Sequence, residues 1–194
     1  MTKPVTLPAA EFDLIMADPP WQFRTRSIKG VTAKGAGGQY RTMSLDGIMG
    51  MPVADVAAPS CLLWLWATNP MLPQALAVME AWGFKFKTAG HWAKLTRHGK
   101  LAFGTGYILR CAGEPFLIGT RGRPKTTRSV RSVIMARARE HSRKPDLAFH
   151  EAERLMPDAR RLELFSREDR PGWIAWGDEA GKFQRAEGLS IDGN

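Results

Sequence analysis

The sequence predicts an α/β fold in which a β-sheet is covered by helices on both faces. Short apolar runs of strand length recur along the chain and alternate with segments whose apolar residues have helical spacing. Proline, glycine and polar residues separate these segments, as expected for the connections between strands and helices. A length of 194 residues suits one domain, over residues 1–194, with a substantial core.

The first element is the apolar run Phe12–Ala17 (FDLIMA), which ends at Asp18-Pro19-Pro20 and is predicted as a short buried strand. A helix is predicted to end at Gly83, since glycine commonly follows the last helical residue. The elements predicted between the first strand and the basic region are a strand at 62–67, a helix at 74–82 and strands at 84–93 and 115–119.

The C-terminal third repeats the alternation. Lys144-Pro145 precedes a predicted helix over residues 146–155, in which Leu147, Ala148, Ala152 and Leu155 lie near one face. The runs RLELF (161–165) and WIAW (173–176) are predicted strands on either side of a charged turn.

Composition excludes several classes of protein. Apolar residues make up 44% and charged residues 24%, which argues against a disordered chain or a membrane protein. Cys61 and Cys111 are the only cysteines, so a disulfide scaffold is excluded and a reducing, cytoplasmic location is expected. The four histidines show no metal-ligand spacing, and no metal site is predicted. Lys and Arg total 28 against 19 Asp and Glu, a net charge of +9 that favours a polyanionic partner.

Much of the excess charge lies between residues 121 and 143, which we predict to be a flexible basic segment that follows nucleic-acid phosphates. The alternative is a solvated linker, since charge blocks often remain disordered. Its basic residues are Arg121, Arg123, Lys125, Arg128, Arg131, Arg137, Arg139 and Arg143, opposed by Glu140.

The sharpest feature is Asp18-Pro19-Pro20-Trp21, directly after the first predicted strand. Ligands of open α/β sheets bind beyond the carboxyl ends of the strands, where this tetrapeptide lies. The prolines stiffen the loop and remove two backbone donors, so we expect its carbonyls to be available as acceptors. Trp21 offers a plane for base stacking. The alternative is an N-cap aspartate in a proline turn with a packed tryptophan.

These groups suit methyl transfer to an exocyclic amine. The nitrogen lone pair of adenine N6 is delocalised into the ring, which makes the amine a poor nucleophile. If the Asp18 carboxylate and the Pro19 carbonyl accept its two N–H bonds, the lone pair can turn toward an electrophilic methyl group.

Together with five further stretches, the tetrapeptide resembles the DPPW-type, METTL-like (MT-A70-like) N6-adenine methyltransferases that use S-adenosylmethionine. The matching stretches span about residues 12–179 and occur in the expected order. They are QYRTMS at 39–44, EPFLIGTRG at 114–122, HSRKPD at 141–146, RLELFSR at 161–167 and WIAWGDE at 173–179.

The resemblance implies a Rossmann-like class I methyltransferase sheet with permuted motif order, the catalytic motif preceding the cofactor-binding half. It implies that Lys144 meets the methionine carboxylate of the cofactor and that Glu163 accepts from its ribose hydroxyls. The full cofactor set is Asp18, Lys144, Glu163, Phe165, Arg167, Asp178 and Glu179; the catalytic set is Asp18, Pro19, Pro20 and Trp21. The substrate set is Trp21, Tyr40, Arg121, Arg123, Lys125, Arg128, Arg131 and Arg143.

The implied activity is methyl transfer to adenine N6 in a single-stranded or flipped-out nucleotide, without a metal. DNA is favoured over RNA because the compact chain lacks the extensions of RNA-modifying complexes. Two alternatives stay open: another acceptor amine (cytosine N4 or a protein amide), and an inactive nucleic-acid-binding subunit of a methyltransferase complex. No membrane partner is expected, and a homo- or heterodimer is left open.

Overall fold

The computed structural model describes residues 5–22, 42–106, 108–139, 143–178 and 180–181. In chain order these form β1 (Phe12–Ala17), α1 (Leu45–Met49), α2 (Val53–Val56), β2 (Ala57–Trp66), a 3₁₀ turn (Asn69–Met71), α3 (Leu72–Ala81), β3 (Lys85–Leu95), β4 (Gly113–Arg121), β5 (Val133–Arg137), α4 (Asp146–Leu155), β6 (Arg161–Leu164) and β7 (Ile174–Trp176).

The described strands form one mixed sheet in the order β5-β3-β4-β2-β1-β6-β7. β1 lies between β2 and β6 and is parallel to both. β7 is parallel to β6, and β5 is parallel to β3, whereas β4 is antiparallel to its neighbours β2 and β3. The carboxyl ends of β1, β2 and β6 therefore meet at one edge of the sheet, which we call the catalytic edge.

Both faces of the sheet are covered, as the sequence predicts. Side chains alternate along β1: Ile15 and Ala17 belong to the core on the side of α1, α2 and α3, and Leu14 and Met16 belong to the core on the side of α4. Buried tryptophans fill much of the second core. They are Trp64, Trp66, Trp92 and Trp173, each at most 7% exposed. The Rossmann-like α/β architecture is confirmed.

The predicted helices and strands are all present, with bounds shifted by a few residues. β2 begins at Ala57 rather than residue 62, because Ala57 already pairs with Phe12 of β1, and the exposed Pro59 and Ser60 conceal this start in the sequence. α3 contains a proline in its first turn and ends before Gly83, whose φ of +80° is a conformation that glycine adopts without strain.

One prediction requires correction. The basic segment at 121–143 contains strand β5, which pairs with β3 through Val133 to Arg137. Ile134 is 2% exposed and packs in the core beside α4, so this part of the segment is held by the sheet. β5 is not recognisable from the sequence, because the arginines on either side of it give the whole segment the composition of a loop.

Within the described residues, no helix has the length and apolar character needed to cross a membrane. Cys61 is buried within the sheet and Cys111 is half-buried, and both thiols are free.

Candidate active site

Asp18 lies at the catalytic edge, directly after β1. Its backbone amide donates to the carbonyl of Leu164, the last residue of β6, at 3.4 Å. This hydrogen bond fixes the start of the Asp18-Pro19-Pro20 loop. Because β1 is flanked by two parallel strands, the Asp18 side chain stands in the crevice where ligands of α/β sheets bind.

Lys144 joins Asp18 to a second carboxylate. Its Nζ lies 2.6 Å from Asp18 Oδ2 and 3.1 Å from Glu114 Oε2. Lys94 forms a second ion pair with Glu114. The Lys144 ammonium also lies 5.4 Å from the centre of the Trp66 ring, within reach of a cation–π interaction.

Electrostatics in this group follow from burial and close pairing. Burial opposes ionisation of Glu114, but Lys144 and Lys94 more than offset it and hold the pKa of Glu114 at about 2. Burial also opposes the charge on Lys144, yet Asp18 and Glu114 raise its pKa. Desolvation raises the pKa of Asp18, with Lys144 acting in the opposite direction. Lys144 therefore stays charged and orients both carboxylates.

Sequence analysis did not identify Glu114 as a site residue. The available signal was an acid two residues into a strand that is otherwise apolar, next to Pro115 and Phe116. An unpaired carboxylate is costly inside a protein, so such a residue indicates a nearby cation. Its cation, Lys144, is 30 residues further along the chain and is recognised only in three dimensions.

The carbonyls of the Pro19-Pro20 loop accept more backbone hydrogen bonds than the sequence predicts. The Pro19 carbonyl accepts from the Trp21 amide at 2.8 Å, and the Pro20 carbonyl accepts from the Met43 amide at 3.1 Å. The expectation that these carbonyls are unused is therefore wrong. A carbonyl has two lone pairs, so Pro19 keeps acceptor capacity for a ligand.

Trp21 supports the loop from inside. Its indole is 5% exposed and its Nε1 donates to the Trp66 carbonyl at 3.1 Å. This position corrects the expectation of an open stacking plane and matches the alternative of a packed tryptophan in a proline turn.

One pocket at the catalytic edge brings together most of the predicted cofactor residues: Asp18, Lys144, Glu163, Phe165 and Arg167. Arg143, predicted as a substrate residue, lines the same pocket. Asp178 is exposed just after β7 and is not among the lining residues. Tyr40 and Glu179 lie outside the described residues.

Three residues of this pocket have a buried polar atom that is open to a ligand. Glu163 Oε2, Arg170 Nε and Trp66 Nε1 have no hydrogen-bond partner among the described residues, although all three are removed from solvent. Burial raises the pKa of Glu163 to about 7. Because buried polar groups are nearly always satisfied, an acceptor and two donors left open in one pocket fit a ligand with hydroxyl and anionic groups.

Phe165 turns the chain out of β6 into this pocket. Its φ of +62° is a left-handed conformation that costs energy in a non-glycine residue and is concentrated at functional sites. Its ring packs edge-on against Trp176 of β7, with centroids 6.0 Å apart. The contact fixes the pocket wall between the ends of β6 and β7.

The structure does not bring the whole basic segment to the site. Arg121 lies opposite Cys61, near the other edge of the sheet, and donates to the Ala54 carbonyl at 2.6 Å. Arg123 follows it there. The chain then returns along α4, since the Thr127 amide donates to the Leu155 carbonyl, and carries exposed Lys125, Arg128 and Arg131. This corrects the expectation that the segment as a whole lines one cleft.

No cluster of metal-ligating side chains occurs in the part of the chain that the structure describes.

Comparison with known proteins decides the family. The MT-A70 family model matches residues 12–179, which is most of the chain and includes every element from β1 to β7. The chain belongs to the MT-A70 family. Asp18, Glu114 and Lys144 all fall within the matched residues.

Three relatives of the chain are named as methyltransferases. Human N(6)-adenine-specific methyltransferase METTL4 is 31% identical, over 91% of this chain and 39% of its own length. Type II methyltransferase M.MunI of Mycoplasma sp is 28% identical, over 89% of this chain and 79% of its own. N6-methyladenosine RNA methyltransferase MTA1 of Cryphonectria parasitica is 32% identical, over 92% and 54%. The chain thus spans well under half of METTL4 and most of M.MunI.

Proposed function

We propose that this protein transfers a methyl group from S-adenosylmethionine to the N6 amine of adenine in nucleic acid, with DNA favoured over RNA. The observation that carries the proposal is the Asp18 carboxylate at the carboxyl end of β1, oriented by Lys144 at 2.6 Å and followed by the stiff Pro19-Pro20 loop. Membership of the MT-A70 family supports the reaction type.

The residues supply acceptors where the target amine must sit. Asp18 Oδ1 remains to accept one N–H, while Oδ2 is bound by Lys144. The second lone pair of the Pro19 carbonyl accepts the other. The amine lone pair then points away from both acceptors toward the methyl donor, and the carboxylate stabilises the positive charge that develops on nitrogen.

Proton loss follows the transfer. S-adenosylmethionine, held by the pocket residues, would supply the methyl group to the new N–C bond and would leave as a neutral thioether. The methylated amine is then cationic and gives one proton to the Asp18 carboxylate, from which it reaches water. Lys144, which stays protonated, positions the carboxylate and does not take the proton.

We assign the cofactor to the pocket lined by Asp18, Lys144, Glu163, Phe165 and Arg167. When bound there, S-adenosylmethionine supplies an electrophilic methyl group on a sulfonium. The unpartnered Oε2 of Glu163 would accept a hydrogen bond from a ribose hydroxyl of the cofactor. Lys144 and Arg167 would pair with the methionine carboxylate of the cofactor. We assign Asp178 and Glu179 to the adenine and ribose end of the cofactor.

Nucleic acid is the proposed partner, its target adenine single-stranded or flipped out of a duplex to reach Asp18. We propose DNA as the nucleic acid, and RNA is the alternative because MTA1, which is 32% identical, is named an RNA methyltransferase. The net charge of +9 supports a phosphate-bearing substrate.

The test is transfer of a labelled methyl group to DNA and RNA pools, with the product base identified by mass spectrometry. Asp18→Asn keeps the size of the side chain but removes its charge, and we expect it to lower the rate at least about 100-fold. Asp55→Asn, an exposed aspartate on α2, is the matched control. Equal rates for Asp18→Asn and wild type would contradict the mechanism, and methylcytosine as product would contradict the acceptor.

A further inference from the structure

The buried carboxylate of Glu168, beside the pocket, forms ion pairs with three arginines from two loops. Glu168 lies in the loop after β6 and is 9% exposed. Its Oε2 is 2.6 Å from Arg143 Nη2, 3.6 Å from Arg139 Nη2 and 3.6 Å from Arg170 Nη2. Arg139 and Arg143 belong to the connection between β5 and α4, so Glu168 bridges this connection to the cofactor half of the sheet.

Asp146, the first residue of α4, closes the network from the other side. Its Oδ1 accepts from Arg139 at 2.8 Å and from Arg170 at 2.9 Å. Arg170 also lies over the ring of Phe149 on α4, 3.7 Å from its centre. Two acids and three arginines thus join the 143–145 backbone, the start of α4 and the loop after β6. We call this group the arginine clamp.

Lys144 lies inside the arginine clamp. It directly follows Arg143, and its carbonyl accepts from Arg139 Nη1 at 3.2 Å. Its ammonium reaches Asp18 and Glu114 only while this short stretch of backbone stays in place. Without the charge of Glu168, Arg139, Arg143 and Arg170 would lose the carboxylate that they share, and repulsion among them would push the Lys144 backbone away from the pocket.

We propose that Glu168 is a positioning residue: through Arg143 and Arg139 it holds the Lys144 backbone, and thereby keeps the Lys144 ammonium on Asp18 at the wall of the cofactor pocket. The pocket assignment rests on the proposed function, whereas the position of Lys144 does not. Glu168 itself acts through Lys144 and has no chemical part in methyl transfer.

The first measurement needs no cofactor. Lys144 is 10% exposed and ion-paired, so it should acylate slowly with acetic anhydride, quantified by mass spectrometry relative to exposed Lys125. Glu168→Gln removes the charge at constant size, and we expect Lys144 to acylate about tenfold faster, the effect of one lost charge-assisted hydrogen bond. Glu151→Gln is the matched control, because Glu151 pairs with Arg154 on α4 outside the clamp.

The second measurement rests on the proposed function and tests the assignment of the pocket. In Glu168→Gln we expect the KM for S-adenosylmethionine to rise about tenfold with a smaller change in kcat, and Glu168→Asp, which keeps the charge, to restore most of the affinity. If Glu168→Gln does not fold, Glu168→Asp against wild type carries the acylation test, with a smaller gain in Lys144 labelling expected.

Unchanged Lys144 acylation in a folded Glu168 variant would overturn the proposal. Wild-type protein that shows the expected acylation pattern but transfers no methyl group would overturn the proposed function and leave the arginine clamp standing.

Discussion

Among the single residues of the pocket, Glu163 has the clearest effect on how the stability of the protein depends on pH. Its carboxyl is buried at the end of β6 with one oxygen unpartnered, and burial raises its pKa to about 7. An acid with a raised pKa binds its proton more tightly in the folded than in the unfolded chain. Its contribution to stability is therefore full below the unfolded pKa and is lost as pH rises through 7.

Glu163→Gln should accordingly stabilise the cofactor-free protein at pH 8 by about 3 kcal/mol and have little effect at pH 4. Glutamine stays neutral and cannot lose the proton that the folded state favours. Urea unfolding at both pH values measures the difference, with exposed Glu80→Gln on α3 as control. A Glu163→Gln variant equally destabilised at both pH values would show that packing, not ionisation, dominates at this position.

Residues of the site differ in how far sequence identifies them. Asp18 and Lys144 follow from motifs, and the structure pairs them across 126 positions of the chain. Glu114 and Glu168 do not, because a lone acid in a strand or turn has no local pattern, and its arginine or lysine partner comes from another element. Trp21 was misjudged since the same tetrapeptide suits a stacking plane or a packed turn, and only burial distinguishes them.

At the scale of elements, the basic segment divides into parts with different neighbours. It leaves β4 at the edge remote from Asp18, runs antiparallel to α4, and enters β5, whose end at Arg137 pairs with Leu95 at the catalytic edge. Arg139 and Arg143 then join the arginine clamp. If nucleic acid binds at Asp18 as proposed, its phosphates would lie nearer to Arg131 and Arg137 than to Arg123.

Reversing charge in the two parts should have unequal effects. Arg131→Glu with Arg137→Glu is expected to weaken nucleic-acid binding and to reduce the slope of log K against log salt by about 2, while cofactor affinity stays unchanged. Arg123→Glu with Lys125→Glu makes the same change of charge at the remote edge and serves as the control. Fluorescence anisotropy at several salt concentrations measures both. Equal losses would indicate a general effect of net charge.

The elements that sequence predicted well each have a local pattern. β1 and the second half of β2 are buried and almost wholly apolar, β6 alternates buried leucines with partly exposed charged residues, and α4 shows a helical spacing that matches its observed bounds. β5 was missed because it is an edge strand in which Ile134 is buried between exposed residues, and its pairing with β3 is not visible in the local sequence. The short helices α1 and α2 depend on packing against α3 and β2, which a local pattern does not encode.

For the whole molecule, Cys61 offers a measure of global stability. It is 0% exposed in the middle of the sheet, and burial raises the pKa of its thiol to about 12. In a Cys111→Ser background, a thiol reagent should modify Cys61 only through global unfolding, about 1,000-fold or more slowly than in denaturant. Labelling rates with and without urea test this; fast labelling without urea would show that the sheet opens locally around β2.

The position of β1 in the centre of the sheet has a consequence for synthesis on the ribosome. One neighbour, β2, emerges soon after it, but the other, β6, begins only at Arg161. Until then one side of β1 has an unpaired row of backbone amides and carbonyls beside the apolar Leu14 and Met16. The nascent chain is therefore an attractive substrate for chaperones for most of its translation, and its native fold is completed late rather than grown from the N-terminus.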